Sequence, residues 1–232
     1  MGKIPKKKGG IKLHTVLDLG SNIPTIIDIT TAKVHDVNFL DNLVVELGAL
    51  YIFDRGYVDY KRLYKINLSN AFFIVRAKKN LSFKVLKSNK IDKSKELRCD
   101  QIIRLKIKKS YEDYPANFRR IKVYDEDKKK YIVLLTNNLE ISTSAVALLY
   151  KKRWQIELFF KWIKQHLKIK VFWGQNENAV RTQIWIAVCN YALIYLIKNE
   201  QNLLQSPYEI LEILKDSLFE QTPVNQLLMS DF

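Results

Sequence analysis

Cysteine, histidine, glycine and proline are all scarce in this sequence, and acidic side chains are few for the number of basic ones. The two cysteines, Cys99 and Cys189, lie far apart and have no metal-ligand spacing around them. That excludes a disulfide framework and fits a reducing cytoplasm. The three histidines, His14, His35 and His166, are isolated from one another and from both cysteines, which argues against a zinc site. Seven glycines and five prolines write no long flexible linker into the chain, and there is no internal repeat or low-complexity tract. The basic segment Met1–Gly10 is not followed by an apolar signal core. The most apolar stretch, Ile184–Ile197, contains Asn190 and two tyrosines and is shorter than the roughly 18–20 residues of a membrane span. It is expected to be a buried core helix, with no membrane partner.

What is present is a core-forming composition with a basic surplus. Hydrophobic residues make up 47% of the 232 residues and aromatics 12%, enough for one large packed domain or one domain with an insertion. Net charge is +15, and it is uneven. Arg76–Lys109 holds thirteen Lys/Arg against Asp92, Glu96 and Asp100; Tyr150–Lys170 holds seven against Glu157 alone. The rest of the chain is nearly neutral, so the excess sits in two segments, as on a surface that faces a polyanion. Two solvated basic faces without a partner are the plain alternative.

The pattern along the chain alternates strands and helices. Ile11–Leu19 and Ile23–Ile29, separated by Gly20-Ser21-Asn22, predict a β-hairpin. Val37, Leu40, Leu43, Val44 and Leu47 have helical spacing and predict a helix from Asp36 to Leu47, closed by Gly48. Ala49–Phe53 predicts a strand buried on both faces. Val58–Leu68 predicts a helix and Ala71–Val75 a second buried strand. Residues 76–130 alternate in short runs and predict a small antiparallel insertion that ends in a strand at Tyr131–Thr136. A long helix from Ser142 or Ser144 to about Lys168 should follow, then one from near Asn178 to Lys198. A third should start at Ser206-Pro207-Tyr208-Glu209, a capping signature. The expected class is α/β with a β-rich insertion and C-terminal helices. The expected divisions are 1–75 and 137–200 for the core, 76–136 for the insertion and 201–232 for a helical tail.

Two acids draw the chemistry. Asp54 directly follows an apolar run, at the carboxyl end of an expected strand, where open α/β sheets place their sites. An Asp capping the next helix explains it as well. Glu157 is the lone acid among seven bases, and on one continuous helix Tyr150, Arg153, Glu157 and Lys164 would form a single stripe. A surface ion-pair stripe is the bland alternative. One carboxylate among cations suits an acid that binds a metal while its neighbours hold DNA phosphates. Phosphoryl transfer on DNA needs such acids, and they can be far apart in sequence. Asp28, Asp36 and Asp41 could be further acids, although capping or exposure explains them equally. Trp173, in a turn with Gly174, could stack on an unpaired base or pack in the core; Trp154, Trp162 and Trp185 are assigned to packing. Arg181 and Gln183 are weaker DNA candidates.

Tyr150-Lys-Lys-Arg-Trp-Gln-Ile-Glu157 through Phe159-Phe-Lys-Trp-Ile-Lys164 resembles the signature helix of bacterial DDE transposases of the insertion-sequence-four group. Phe53-Asp54-Arg55-Gly56-Tyr57 resembles that family's second catalytic aspartate, and Lys12-Leu13-His14-Thr15 the strand before it. The likeness runs from about Gly9 to Lys198. It implies an RNase H-like fold with a β insertion ahead of the glutamate helix, and cut-and-paste DNA transposition. By that match Asp54 and Glu157 are catalytic residues and metal ligands of a two-metal Mg²⁺ site, and Tyr150, Arg153 and Lys164 contact transposon-end DNA. Lys161 and Trp173 complete the expected DNA-contact set. Transposon ends and target DNA are the implied partners, with a homodimer in a synaptic complex and a cytoplasmic, nucleoid-associated location. The family pattern has a first catalytic Asp upstream of Lys12, and no residue of this sequence matches it. The expectation is therefore a core lacking its first strand, with unpaired edges, and a chain inactive by itself. A non-catalytic DNA-binding remnant and another RNase H-like nuclease are the competing readings.

Overall fold

The computed structural model describes residues 10–92, 96–125, 129–167 and 176–217, with the isolated positions 172, 174 and 226. The chain divides into two compact units, residues 32–153 and the pairing of residues 1–31 with 154–232.

The first unit is built on a six-stranded sheet. Its strands are β3 (Leu50–Phe53), β4 (Phe72–Arg76), β5 (Phe83–Ser88), β6 (Leu97–Leu105), β7 (Phe118–Asp125) and β8 (Lys130–Thr136), in the spatial order β3-β4-β8-β7-β6-β5. Only β3 and β4 run parallel; the others pair antiparallel. The expected insertion strands form, and β8 carries them onto β4 so that core and insertion share one sheet. On one face Ile74, Ile121, Ile132 and Leu134 pack against Val146 and Tyr150 of helix α3 (Thr143–Lys152). On the other side an aromatic cluster forms: Phe73 and Tyr114 meet edge-on at 6.2 Å, and Tyr114 stacks on Phe118 at 3.9 Å. Helix α1 (Tyr60–Leu68) buries Leu63 and Ile66 and contacts β4. A short helix α2 (Lys108–Asp113), unforeseen in the sequence, precedes Tyr114 and contacts α1 and β6.

Three expectations in this unit are corrected. The helix over Asp36–Leu47 is a 3-10 segment, Asp36–Asp41, followed by irregular chain. Phe39, Leu40 and Leu43 are buried, but Val44 and Leu47 are 76% and 79% exposed, so the apolar spacing has no continuous core to face. Gly48, at φ +76°, supplies a left-handed turn instead of a helix end. Strand β3 is an edge strand, and of its four residues only Phe53 is buried; it is not covered on both faces.

A buried ion pair joins the insertion to α3. Asp100 on β6 and Arg119 on β7 are 2% and 5% exposed. Arg119 Nη2 donates to Asp100 Oδ2 at 2.6 Å and to Thr143 Oγ1 at 3.1 Å, and Nη1 donates to the Ile141 carbonyl. Thr143 and Asn89 also donate to the same carboxylate. Burial works hardest on Asp100 and pushes its pKa up. The Arg119 and Thr143 hydrogen bonds, the Arg119 charge and Asn89 together outweigh it and hold the carboxyl below its ordinary range.

The second unit packs a hairpin on helices. β1 (Ile11–Leu17) and β2 (Pro24–Thr31) pair antiparallel as expected, with Asn22 at φ 59° in the turn. Ile29 joins Phe159 and Ile163 of α4 (Trp154–His166) and Val180, Ile184, Val188 and Tyr191 of α5 (Glu177–Glu200) in one core. The apolar stretch of α5 thus sits in a 24-residue helix, long and apolar enough to cross a membrane by length and composition. Its Val180–Ile194 face is buried in the unit, while Trp185 is 44% exposed. Trp154, at 51%, is also exposed, so of the three tryptophans assigned to packing only Trp162 is half-buried, packed against His166 and Tyr191. Helix α6 (Pro207–Asp216) begins as its sequence predicts. Ser206 Oγ accepts from the Glu209 amide, and the Glu209 carboxylate accepts from the Ser206 amide.

The expected long helix from Ser142 to Lys168 is two helices, broken at Arg153. α3 buries Val146 and Tyr150; α4 buries Phe159 and Ile163, which lie on roughly the opposite side of a continued helix. The break lets each segment turn its own apolar face to its own core.

Candidate functional site

Parallel pairing brings the carboxyl ends of β3 and β4 side by side, and the charged residues that follow each strand meet there. Asp54 follows β3 in extended conformation, and its carboxylate accepts the Arg55 amide at 2.7 Å. It caps a single 3-10 turn, whereas Asp59 caps α1. The capping explanation of Asp54 therefore accounts for one short turn, and the side chain stays exposed. With Arg55, Gly56, Lys78, Lys79 and Asn80 it lines an open cavity of about 480 Å³.

Around Asp54 the unit gathers further polar groups. Burial first, then the Asp36 and Asp54 charges, raise the pKa of Tyr57 to about 12. Asp36 is thus the second carboxylate of this neighbourhood. Asp41 is not part of it, because Arg62 holds it at 2.6 Å. Tyr150 is 9% exposed, and burial, followed by the Asp54 charge, raises its pKa. Arg153 and Arg76 act on it in the opposite direction, and Arg153 also hydrogen-bonds to it. The Arg153 guanidinium lies 5.9 Å from the Tyr150 ring centroid. A neutral phenol thus stands in the field of one carboxylate and two guanidiniums.

The structure brings Asp54, Tyr150 and Arg153 into one unit. Glu157, Lys161 and Lys164 share α4 in the other. Glu157 sits in the first turn of α4, where the helix dipole favours an anion. Lys161 and Lys164 are exposed, on the side away from the buried Phe159 and Ile163. The expected single stripe is corrected accordingly: Tyr150 ends α3, Arg153 is the joint and Glu157 begins α4. Trp173 lies outside the described residues. Arg181 is paired with Glu177 at 2.9 Å.

Arg76 and Lys79 escaped the sequence reading. Arg76 closes the apolar strand Phe72–Val75 much as Asp54 closes β3, and that parallel was the available signal. Asp100 and Arg119 gave none, since nothing in the sequence separates a buried charge from the exposed ones around it.

Residues 2–193 match the model of the transposase DDE domain family. The chain belongs to that family. A protein of Sinorhizobium fredii named as a transposase, y4zB, is 37% identical over 93% of this chain and 61% of its own length. A Geobacillus stearothermophilus protein named as the transposase of insertion sequence element IS5377 is 27% identical over 81% of this chain and 49% of its own. A Synechocystis protein named for element IS4SA is 26% identical. The resemblance to the insertion-sequence-four group is borne out by these relatives. The chain spans about half to three fifths of their length. Among solved structures, the piggyBac transposase in a synaptic complex with hairpin DNA matches with a TM-score of 0.52 over 97% of this chain and 51% of that one, at 12% identity. That likeness supports the expected α/β, RNase H-like class of fold.

Proposed function

We propose that this chain supplies part of the site at which an insertion-sequence transposase cleaves and joins DNA. The observation that carries this reading is the position of Asp54 beyond the ends of two parallel strands, close enough to Tyr150 for its charge to act on that phenol together with those of Arg153 and Arg76. Asp54 and Glu157 are its catalytic acids and metal ligands. Tyr150, Arg153, Lys161, Lys164 and Trp173 are its contacts to the transposon ends, and target DNA is the second substrate of a synaptic homodimer.

The donor set suits Mg²⁺. That ion commonly takes one or two protein carboxylates and completes its shell with water and phosphate oxygens. The exposed Asp54 carboxylate, with Asp36 in its neighbourhood, offers hard oxygen donors of that kind. When bound, the metal activates an attacking oxygen and stabilises the departing one. The chain's own residues do the positioning. Arg153 and Arg76 hold the negative backbone near Asp54, and the Tyr150 hydroxyl, kept protonated by its surroundings, offers a hydrogen bond to a phosphate oxygen.

Anisotropy titrations of transposon-end duplex, with and without Mg²⁺, test this function. Mg²⁺ should tighten binding to the wild-type chain, and Asp54→Asn or Glu157→Gln should abolish that response while leaving metal-free binding intact. A metal response unchanged in both variants would remove the two acids from the site.

A further inference from the structure

We propose that the cavity beside Asp54 is a subsite for one phosphodiester of a DNA strand, with Lys79 and Arg55 as its cationic contacts and Lys78 as the residue that positions them. This rests on the transposase reading and adds to it a binding site on the loop after β4.

The cavity has two walls. One is the turn after β3, carrying Asp54, Arg55 and Gly56; the other is the loop after β4, carrying Lys78, Lys79 and Asn80. Lys78 Nζ donates to the Val58 carbonyl at 2.9 Å, which fastens the second wall to the chain just beyond the first. The loop that carries Lys79 is thereby tied to the chain that follows the Arg55 turn. Asp54, Arg55, Lys79 and Asn80 are exposed, so a strand can reach them from solvent. Gly56 keeps the rim low: a Cβ there would meet only Asp36, at 4.0 Å, so glycine is not demanded by crowding.

The lining decides the ligand class. Three cations and one amide surround a single carboxylate, Asp54. A cationic ligand would meet like charge on two walls. A dianionic or polyanionic ligand would find cations for its phosphate oxygens, with the carboxylate left to share a divalent ion. A volume of about 480 Å³ lies within the range of pockets that enclose small organic ligands, and a nucleotide unit fits it. A DNA strand, not a free nucleotide, is the assigned occupant, because the cavity is open and its cations belong to a chain with a net charge of +15.

The test uses the whole 232-residue chain and duplex DNA, with binding followed from about 50 to 200 mM salt. Lys79→Ala should lower the slope of log affinity against log salt by about one unit, and Lys79→Arg should retain it. Lys78→Met should also weaken binding, although its amine already bonds to a carbonyl. Lys215→Ala on α6 should leave the slope unchanged. With Mg²⁺ present, a cycle of Asp54→Asn and Lys79→Ala should deviate from additivity by more than about twofold in affinity, as for two groups on one ligand. A slope unchanged in a folded Lys79→Ala chain, or an additive cycle, overturns the subsite and leaves the transposase reading standing. A wild-type chain that binds no DNA overturns both. A nucleoside monophosphate that binds as tightly as the duplex assigns the cavity to a free nucleotide and overturns the strand assignment.

Discussion

Both units have apolar and aromatic cores, but the unit at residues 32–153 is in addition tied across its sheet by a buried charge network. In the first, Asp100, Arg119 and Thr143 are hydrogen-bonded beneath the start of α3. In the second, Phe159 and Tyr191 meet edge-on at 4.8 Å with Ile29, Ile163 and Ile184 around them. The two strategies respond differently to damage. A buried ion pair adds little net stability over an apolar replacement, yet breaking it leaves a charge stranded. An aromatic core loses stability in proportion to the volume removed. The directional core stands under the helix that carries Tyr150, where position matters most.

The sharpest way to break this comparison is Asp100→Asn, which should cost about 3–5 kcal/mol by urea unfolding, because Arg119 loses its counter-charge. Asp100→Leu combined with Arg119→Met should recover most of that loss while leaving the DNA affinity reduced. Full recovery of both would show the pair to be dispensable for placing α3. Acid should close the gap between wild type and Asp100→Asn. The folded-state pKa of Asp100 is depressed, so its contribution is complete above the unfolded value of about 3.9 and fades as pH falls through the lower, folded one. A gap that widened on acidification would contradict that sign.

Next in size, Ile163→Ala in the aromatic core should cost about 3 kcal/mol, within the range for deleting a buried isoleucine side chain. No partner replacement should be able to rescue it. Ser206→Ala removes one cap from α6 and should cost about 1 kcal/mol, read as faster amide exchange in that helix alone. At the small end, Lys108→Ala should leave the melting temperature unchanged, because its ion pair with Glu112 is long, at 4.0 Å, and the lysine side chain is 92% exposed.

Features written in adjacent residues were legible. The hairpin turn at Gly20-Ser21-Asn22, the buried strand at Phe73-Ile74-Val75 and the Ser206–Glu209 capping box all form as their local chemistry dictates. Asp54 was legible for the same reason, as a charge ending an apolar run. The failures share a cause. Val44 and Leu47 have helical spacing, but spacing cannot say whether a core lies opposite. The Tyr150–Lys164 stripe presumed a straight helix, and the break at Arg153 comes from two cores that claim opposite sides of the same segment.

By itself the sequence determined the α/β class, the family motif with its spacing, and the two basic segments, because each is a matter of neighbouring residues or simple charge. Only the tertiary structure decided that Lys79 lines a cavity with Asp54, that Arg76 and Asp54 both act on Tyr150, and that Asp100 finds Arg119 and Thr143. Those partners are far apart along the chain. Their meeting depends on strand order and on the parallel pairing of β3 with β4, which a linear pattern of residue types does not encode.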